Sequence, residues 1–303
     1  MAKKISSIAE LVGETPLIPL RKVVPSGAAD IYVKLEATNF GGSTKVRTVL
    51  NSIEVAEESG EIEVGDTLVE ATDGNAGVAV AMFAAAKGYQ ALLVMPEASH
   101  PSVLSLLSAY GAEVVETPGA EGMPGAIAKA EELGKQEGFY YLRQFGNEAN
   151  AAVHEATTGP EIIEALDGEA PDAFVATVGT GGTLTGVGRA LRTENPNVEL
   201  YAVEPEETQV LSGGTIGEHQ IPGISPGFIP PALDVTLYNG VVRVSSQEAA
   251  AMAIRLAKEE GLLLGTSSGA AIVGAIEIAK RLGRGKTVVT ISGDDGERYL
   301  VNQ

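Results

Sequence analysis

Short apolar strands alternate with helix-length runs along almost the whole chain, and this alternation narrows the fold more than any other feature. Residues 31–36, 67–70, 91–95 and 113–115 have the branched and aromatic content of strands. Helical runs separate them, from 46 to about 58, up to 87, over 102–110 and over 125–136. After residues 139–142 the pattern restarts, with strands at 173–178, 199–203, 240–244 and 287–291. Helices at 155–165, after 183 to 192, 247–260 and 270–282 lie between those strands. Such a succession implies parallel sheets covered by helices on both faces. The chain therefore reads as α/β, in two interleaved lobes, each with a mainly parallel sheet flanked by helices. A ligand is expected between them, at the carboxyl ends of the strands. Ahead of the first strand, residues 5–12 read as a short helix and 15–20 as an extended segment.

At 303 residues the chain is long enough for two such lobes. It carries 21 basic and 40 acidic residues, a net charge of −19, and such a surface repels phosphate backbones and anionic membranes. No nucleic-acid or membrane partner is expected. The absence of cysteine removes disulfides, thiolate metal sites and cysteine nucleophiles together. The three histidines, His100, His154 and His219, show no ligand spacing, so no metal site is expected. No apolar run approaches the ~18 residues of a membrane span. Met1-Ala2-Lys3-Lys4 is not followed by a signal-peptide core. A cytoplasmic location is the expectation.

Two glycine-rich loops carry the chemistry. In Asn39-Phe40-Gly41-Gly42-Ser43-Thr44-Lys45-Val46-Arg47, paired glycines let the backbone approach a ligand closely. Lys45 stands where a helical run begins. A lysine held there and partly desolvated loses proton affinity, and a neutral amine attacks carbonyls to form a Schiff base. Taken alone, the stretch also reads as a glycine-rich turn with a surface lysine. The second loop, Gly179-Thr180-Gly181-Gly182-Thr183, closes an apolar strand and opens a helix, where backbone N–H groups favour an anion. It has neither a Walker lysine nor dinucleotide spacing. A phosphate cup and a plain strand-to-helix turn fit it equally well.

An imine-forming lysine and a phosphate cup in one chain suggest pyridoxal 5′-phosphate. From about Leu11 to Leu300, the sequence resembles the cysteine synthase (O-acetylserine sulfhydrylase) and cystathionine β-synthase group of fold-type II, tryptophan synthase β-like pyridoxal-phosphate enzymes. The longest matches are Glu121-Gly122-Met123, Thr157-Thr158-Gly159-Pro160-Glu161-Ile162 and Gly296-Glu297-Arg298-Tyr299-Leu300. The resemblance implies that Lys45 is the Schiff-base lysine and proton shuttle. It implies that Asn75 bonds the cofactor's 3′ oxygen, that Gly179, Thr180, Gly181, Gly182 and Thr183 cup its phosphate, and that Ser267 faces its ring nitrogen. Ser267 also reads as a helix N-cap before Ala270. Thr72, Gly74 and Gln144 would hold the substrate carboxylate, beside Asp73 and Ala76 in the same loop, with Gly223 at the entrance. The implied lobes are a smaller, mobile one over 39–146, with Lys45 and the substrate loop, and a larger one over 1–38 and 147–303, with the phosphate cup.

Four departures from the family pattern stand out. Asp73 and Ala76 replace the usual Ser and Thr, so one hydroxyl donor becomes an anion and the other is lost. Two carboxylates about 4 Å apart repel by about 1 kcal/mol even in water. Asp73 must therefore turn away, be protonated, or bind something cationic such as a second substrate's ammonium. Asp294-Asp295 replaces small neutral residues and reads as a solvated acidic turn, or else as an acid beside the cofactor ring that would favour its protonated form. Ser225-Pro226 replaces Gly-Ala and stiffens a loop, while Gly227 stays small, which points towards sulfide. Val46 and Phe40 replace Asp and Pro and concern packing.

The implied reaction is β-replacement through an α-aminoacrylate, with O-acetyl-L-serine and sulfide giving L-cysteine and acetate. The alternative runs the same chemistry from cysteine, releasing sulfide and forming serine, lanthionine or cystathionine. A rival of another class is a pyridoxal-phosphate-binding regulatory protein with attenuated catalysis. A homodimer is implied by the resemblance, association with a serine acetyltransferase is left open, and the chain's end soon after Leu300 suggests no appended regulatory domain.

Overall fold

The computed structural model describes residues 4–97 and 101–300; His100 and the first three residues, considered above for metal ligation and targeting, lie outside them. In place of a helix over 5–12 there is a single 3-10 turn, Ile8–Leu11, with no buried residue. Ile8, Ala9 and Val12 rest only partly buried against the core, and a run this short does not repay the cost of nucleating a longer helix.

The chain then runs through β1 (Leu17–Pro19), β2 (Asp30–Leu35), α1 (Lys45–Ser59), β3 (Thr67–Ala71), α2 (Asn75–Lys87), β4 (Gln90–Pro96), α3 (Pro101–Ala109), β5 (Glu113–Thr117), α4 (Gly122–Leu133) and β6 (Phe139–Tyr141). There follow α5 (Glu148–Val153), α6 (Gly159–Ala165), β7 (Ala173–Thr177), α7 (Gly182–Glu194), β8 (Glu199–Pro205), β9 (Gly240–Val244), α8 (Ser246–Arg255), α9 (Thr266–Leu282) and β10 (Thr287–Ser292). One π-turn, His154–Thr158, joins α5 to α6, so the helical stretch expected over 155–165 begins seven residues earlier.

Among the described residues the strands form two sheets. A four-stranded sheet has the order β5-β4-β3-β6 and is wholly parallel. A six-stranded sheet has the order β1-β2-β10-β7-β8-β9 and is parallel except where β1 pairs with β2. The prolines explain that edge: Pro19 lacks an N–H for a second neighbour, which confines β1 to the rim. Central strands carry apolar residues on both faces, and Val33, Phe174, Val175, Leu200, Val203 and Val289 are fully buried. Each sheet accordingly packs against helices on both sides.

Helix α2 is unusual in composition, because residues 76–84 are all buried. Its alanines and valines are small enough for α1, α3 and the sheet to close around it. Glycines in the left-handed region stop the helices beside the site: Gly60 ends α1 at φ +73° and Gly88 ends α2 at φ +85°. Among the described residues no helix is long and apolar enough to cross a membrane.

Candidate active site

The loop before α1 is stitched onto the end of β10. Thr44 N–H donates to the Gly293 carbonyl at 2.9 Å, and Asp295 N–H to the Gly42 carbonyl at 3.2 Å. Gly42, at φ +71°, has no room for a side chain, since a Cβ there would fall 2.4 Å from Asp295 Oδ2. This seam fixes Lys45 as the first residue of α1 and admits it to a cavity of about 720 Å³. Among the described residues no hydrogen bond or ion pair holds its Nζ. Burial pulls its pKa down, against the opposing pull of Asp294 and Asp73. Next to it in the chain, the buried hydroxyls of Ser43 and Thr44 have no hydrogen-bond partner among the described residues.

Behind Lys45, the same helix is anchored by a buried ionic cluster. Arg47 donates to Glu36 through Nε at 2.7 Å and through a terminal nitrogen at 2.9 Å. It also reaches both oxygens of Glu161 at 2.7 Å, and Lys34 Nζ lies 2.5 Å from Glu161. Burial alone would raise the Glu161 carboxyl, but hydrogen bonds from Arg47 and Lys34 outweigh it and hold the pKa down to about 2. Two cations and two anions thus satisfy one another in the interior. Sequence reasoning placed Arg47 in the motif without seeing this role, because its partners lie 11 and 114 residues away.

At the carboxyl end of β3, Thr72 is buried and its Oγ1 accepts from Gly74 N–H at 3.1 Å and Gly77 N–H at 3.2 Å. With its lone pairs engaged, its proton is left to point at a ligand. Asp73 is open to the cavity, yet protein surrounds it closely enough that desolvation raises its pKa. Asn75 opens α2. Its Nδ2 donates to Asp294 Oδ2 at 2.6 Å and its Oδ1 accepts from Arg298, so the side chain is held at the cavity wall by residues that follow β10. Gln144 is buried, donating from Nε2 to the Ala71 carbonyl at 2.7 Å. Its own N–H meets Glu70 at 3.1 Å, a carboxyl that burial pushes up to about 8.

On the other sheet, β7 ends in the turn that starts α7. Gly181 takes φ +84°, and a Cβ there would lie 2.5 Å from Leu233 Cβ. At Gly179 it would lie 2.4 Å from the Gly223 carbonyl oxygen, and at Gly182 2.0 Å from Asn150 Oδ1. Only glycine leaves this turn its close-drawn shape. The first amides of α7 lack intrahelical partners, and its dipole favours negative charge. Asn150 Nδ2 donates to Thr180 at 2.8 Å, and Thr183 Oγ1 lies 3.2 Å from His154 Nε2.

Three findings depart from the sequence reading. Ser267 is not an N-cap, because α9 begins at Thr266 with Gly265 as its cap, so the serine sits inside the first turn and lines the cavity. Asp294 is not in a solvated turn: it is 2 % exposed, and its Oδ2 accepts from Asn75 and Tyr299. Its Oδ1 is buried without a partner, and burial raises its pKa. His219, which no spacing rule singled out, lines the cavity from the long loop after β8. The same loop brings in Gly223 at φ +78° and Ser225, whose own φ of +48° is strained for a residue with a side chain.

The cavity gathers Lys45, Thr72, Asp73, Asn75, Ala76, Gln144, Gly179, Thr180, Gly181, Thr183, Gly223 and Ser267. Gly74 and Gly182 are not among its lining residues, although their neighbours on both sides are. An unheld amine, unpartnered hydroxyls and a helix start stripped of side chains suit a group with a carbonyl at one end and an anion at the other.

A family model described as pyridoxal-phosphate dependent enzyme matches residues 8–294. A cysteine synthase of Staphylococcus aureus (strain Mu50 / ATCC 700699) is 52% identical over 298 residues, which span 98% of this chain and 96% of the relative. Among solved structures, an O-ureido-L-serine synthase superposes with a TM-score of 0.95 at 39% identity, over 99% of this chain and 95% of that one. A hydrogen sulfide-producing enzyme from Fusobacterium nucleatum gives a TM-score of 0.94 at 36% identity, over 98% of this chain and 100% of that one.

Proposed function

The chain belongs to the pyridoxal-phosphate dependent enzyme family, and from that premise we propose that it is a cysteine synthase, converting O-acetyl-L-serine and sulfide to L-cysteine and acetate. The observation that carries the reading is an amine that no described residue holds by a hydrogen bond or ion pair, Lys45 Nζ, in the same cavity as the glycine-rich start of α7. When bound, pyridoxal 5′-phosphate supplies an electron sink that weakens the α C–H and Cβ–O bonds of an attached amino acid.

This chain's residues do the rest. Lys45 would hold the cofactor through Nζ and, once freed by substrate, take the α proton and later return it. The lowered pKa suits both tasks, since a neutral amine is nucleophilic and basic at once. The α7 amides with Thr180 and Thr183 would bind the phosphate. Asn75 would face the 3′ oxygen, and Ser267 would face the ring nitrogen. Thr72 and Gln144, with the amides of the Asp73–Ala76 loop, would orient the substrate carboxylate. In the balance the Cβ–O bond to acetate breaks and a Cβ–S bond forms, hydrosulfide keeping its proton as the thiol and acetate leaving as the anion.

Asp73 favours a second reading. Its carboxylate faces the cavity, and no ion pair neutralises it among the described residues. A second substrate with an ammonium group, or water acting on cysteine-derived carbon, would suit it better than hydrosulfide. Purified protein with cofactor separates the readings: cysteine formed from O-acetylserine and sulfide supports the first. Fast sulfide release from cysteine alone, without O-acetylserine, supports the second and removes the first.

The proposal extends to the surroundings. The unit around the four-stranded sheet, residues 39–146, is the lobe that would move on substrate binding. A cytoplasmic homodimer is the expected form, checked by light scattering, and co-elution with serine acetyltransferase tests that partnership.

A further inference from the structure

His154 lies behind the glycine-rich turn and not in the cavity. It is 1 % exposed and begins the π-turn His154–Thr158, a distortion that often marks a functional position in a helix. Its place is tightly fixed. At Gly186 of α7, a Cβ would fall 2.1 Å from the Ala151 carbonyl oxygen and 2.8 Å from His154 Cβ, so helix and π-turn touch through a glycine. The ring meets two hydroxyls: Nε2 lies 3.2 Å from Thr183 Oγ1, and Nδ1 lies 2.9 Å from Thr158 Oγ1.

Each hydroxyl can donate or accept, so the tautomer is decided by whichever has a commitment elsewhere. Thr183 lines the cavity at the start of α7. An anion there has no proton to offer and takes the threonine's. Thr183 Oγ1 must then receive a hydrogen from Nε2–H, and Nδ1 must receive one from Thr158. In the opposite tautomer the Thr183 proton points backwards and its lone pairs face the anion.

We propose that His154 is a positioning residue for the phosphate site, its Nε2–H holding the Thr183 hydroxyl as a donor into the cavity. The proposal rests on the reading that residues 179–183 take the cofactor's phosphate. Burial keeps the ring neutral by pulling its pKa down to about 3, with Glu36 opposing and Arg47 and Lys45 assisting. It therefore acts as a fixed donor and not as an acid or base.

Two measurements test this on the full-length protein. With three histidines in the chain, selective nitrogen-15 labelling gives a spectrum in which His154 can be assigned by its absence in a variant. The holoenzyme is expected to show a neutral His154 with the proton on Nε2; a proton on Nδ1 overturns the proposal. In the second, cofactor-free protein is titrated with pyridoxal 5′-phosphate and with pyridoxal, which lacks the phosphate. His154→Phe is expected to lower the ratio of the two affinities about tenfold, the loss of one hydrogen bond to a charged group. His154→Gln, which offers an amide N–H, is expected to restore most of that ratio. Equal weakening towards both ligands means a merely structural role and overturns the proposal. If wild type itself does not prefer the phosphorylated form, the phosphate-cup reading fails, and this inference with it. Should His154→Phe fail to fold, the wild-type tautomer decides.

Discussion

Helix α1 separates two polar regions of opposite character. Behind it, Arg47, Lys34, Glu36 and Glu161 pair fully, each charge answered by another within hydrogen-bonding distance. In front of it, among the described residues, no hydrogen bond or ion pair holds Lys45 Nζ, and the Thr44 hydroxyl and Asp294 Oδ1, both on residues lining the cavity, are buried without partners. Proteins rarely leave buried polar atoms unsatisfied, because each costs about 1–3 kcal/mol. Such atoms clustered on one side of a helix, with a saturated network on the other, mark where a ligand completes the structure. The paired side holds the helix, and the unpaired side does the chemistry.

This contrast can be broken by substitution. Lys45→Ala is expected to reduce turnover by about 10²- to 10⁴-fold, the range for removing a proton-transferring group, while the thermal midpoint of the cofactor-free protein barely moves. A large stability loss with modest kinetic change would erase the division of labour. Arg47→Met is expected to do the reverse. It leaves Glu36 buried without its cation and Glu161 with Lys34 alone, and a buried pair broken from one side loses about 3–5 kcal/mol in denaturant unfolding.

Glu70 sharpens the comparison, since it is buried with only backbone donors and belongs to neither class. Its folded pKa of about 8 lies above the ordinary 4.5, so its contribution to stability is full below pH 4.5 and is lost as pH rises through 8. Wild type should lose roughly 4 kcal/mol across that window relative to Glu70→Gln, whose own curve carries a constant deficit but stays level there. Parallel curves would show that the carboxyl is already ionised. The smallest effect is expected at Asp73. Asp73→Ser should lower by about tenfold the preference for an amino-acid thiol over its deaminated analogue, the discrimination of one charge-assisted contact. An unchanged ratio would show that the carboxylate meets no ammonium.

Much of this was legible in the sequence where the signal is local. The strands over 67–71 and 287–292 are apolar runs bounded by turns, and Gly179-Thr180-Gly181-Gly182 sits where a strand meets a helix. What stayed hidden was pairing at long range. Asp294 looks like half of a solvated acidic turn until its partner Asn75, 219 residues earlier, is seen beside it. His154 and His219 carry no spacing signal, because the first acts through a threonine on another helix and the second rides a loop without regular structure. The start of α9 lies at Thr266, ahead of the expected Ala270, because Thr266, Ser267 and Ser268 have the composition of a cap or turn and so conceal the first helical turn they form.

The central claim is that one particular amine carries the cofactor. Borohydride treatment of the holoenzyme, followed by digestion and mass spectrometry, tests it directly. The account expects the pyridoxyl phosphate mass on the peptide containing Lys45 and on no other lysine. An unmodified Lys45, or the label on a different lysine, would contradict it.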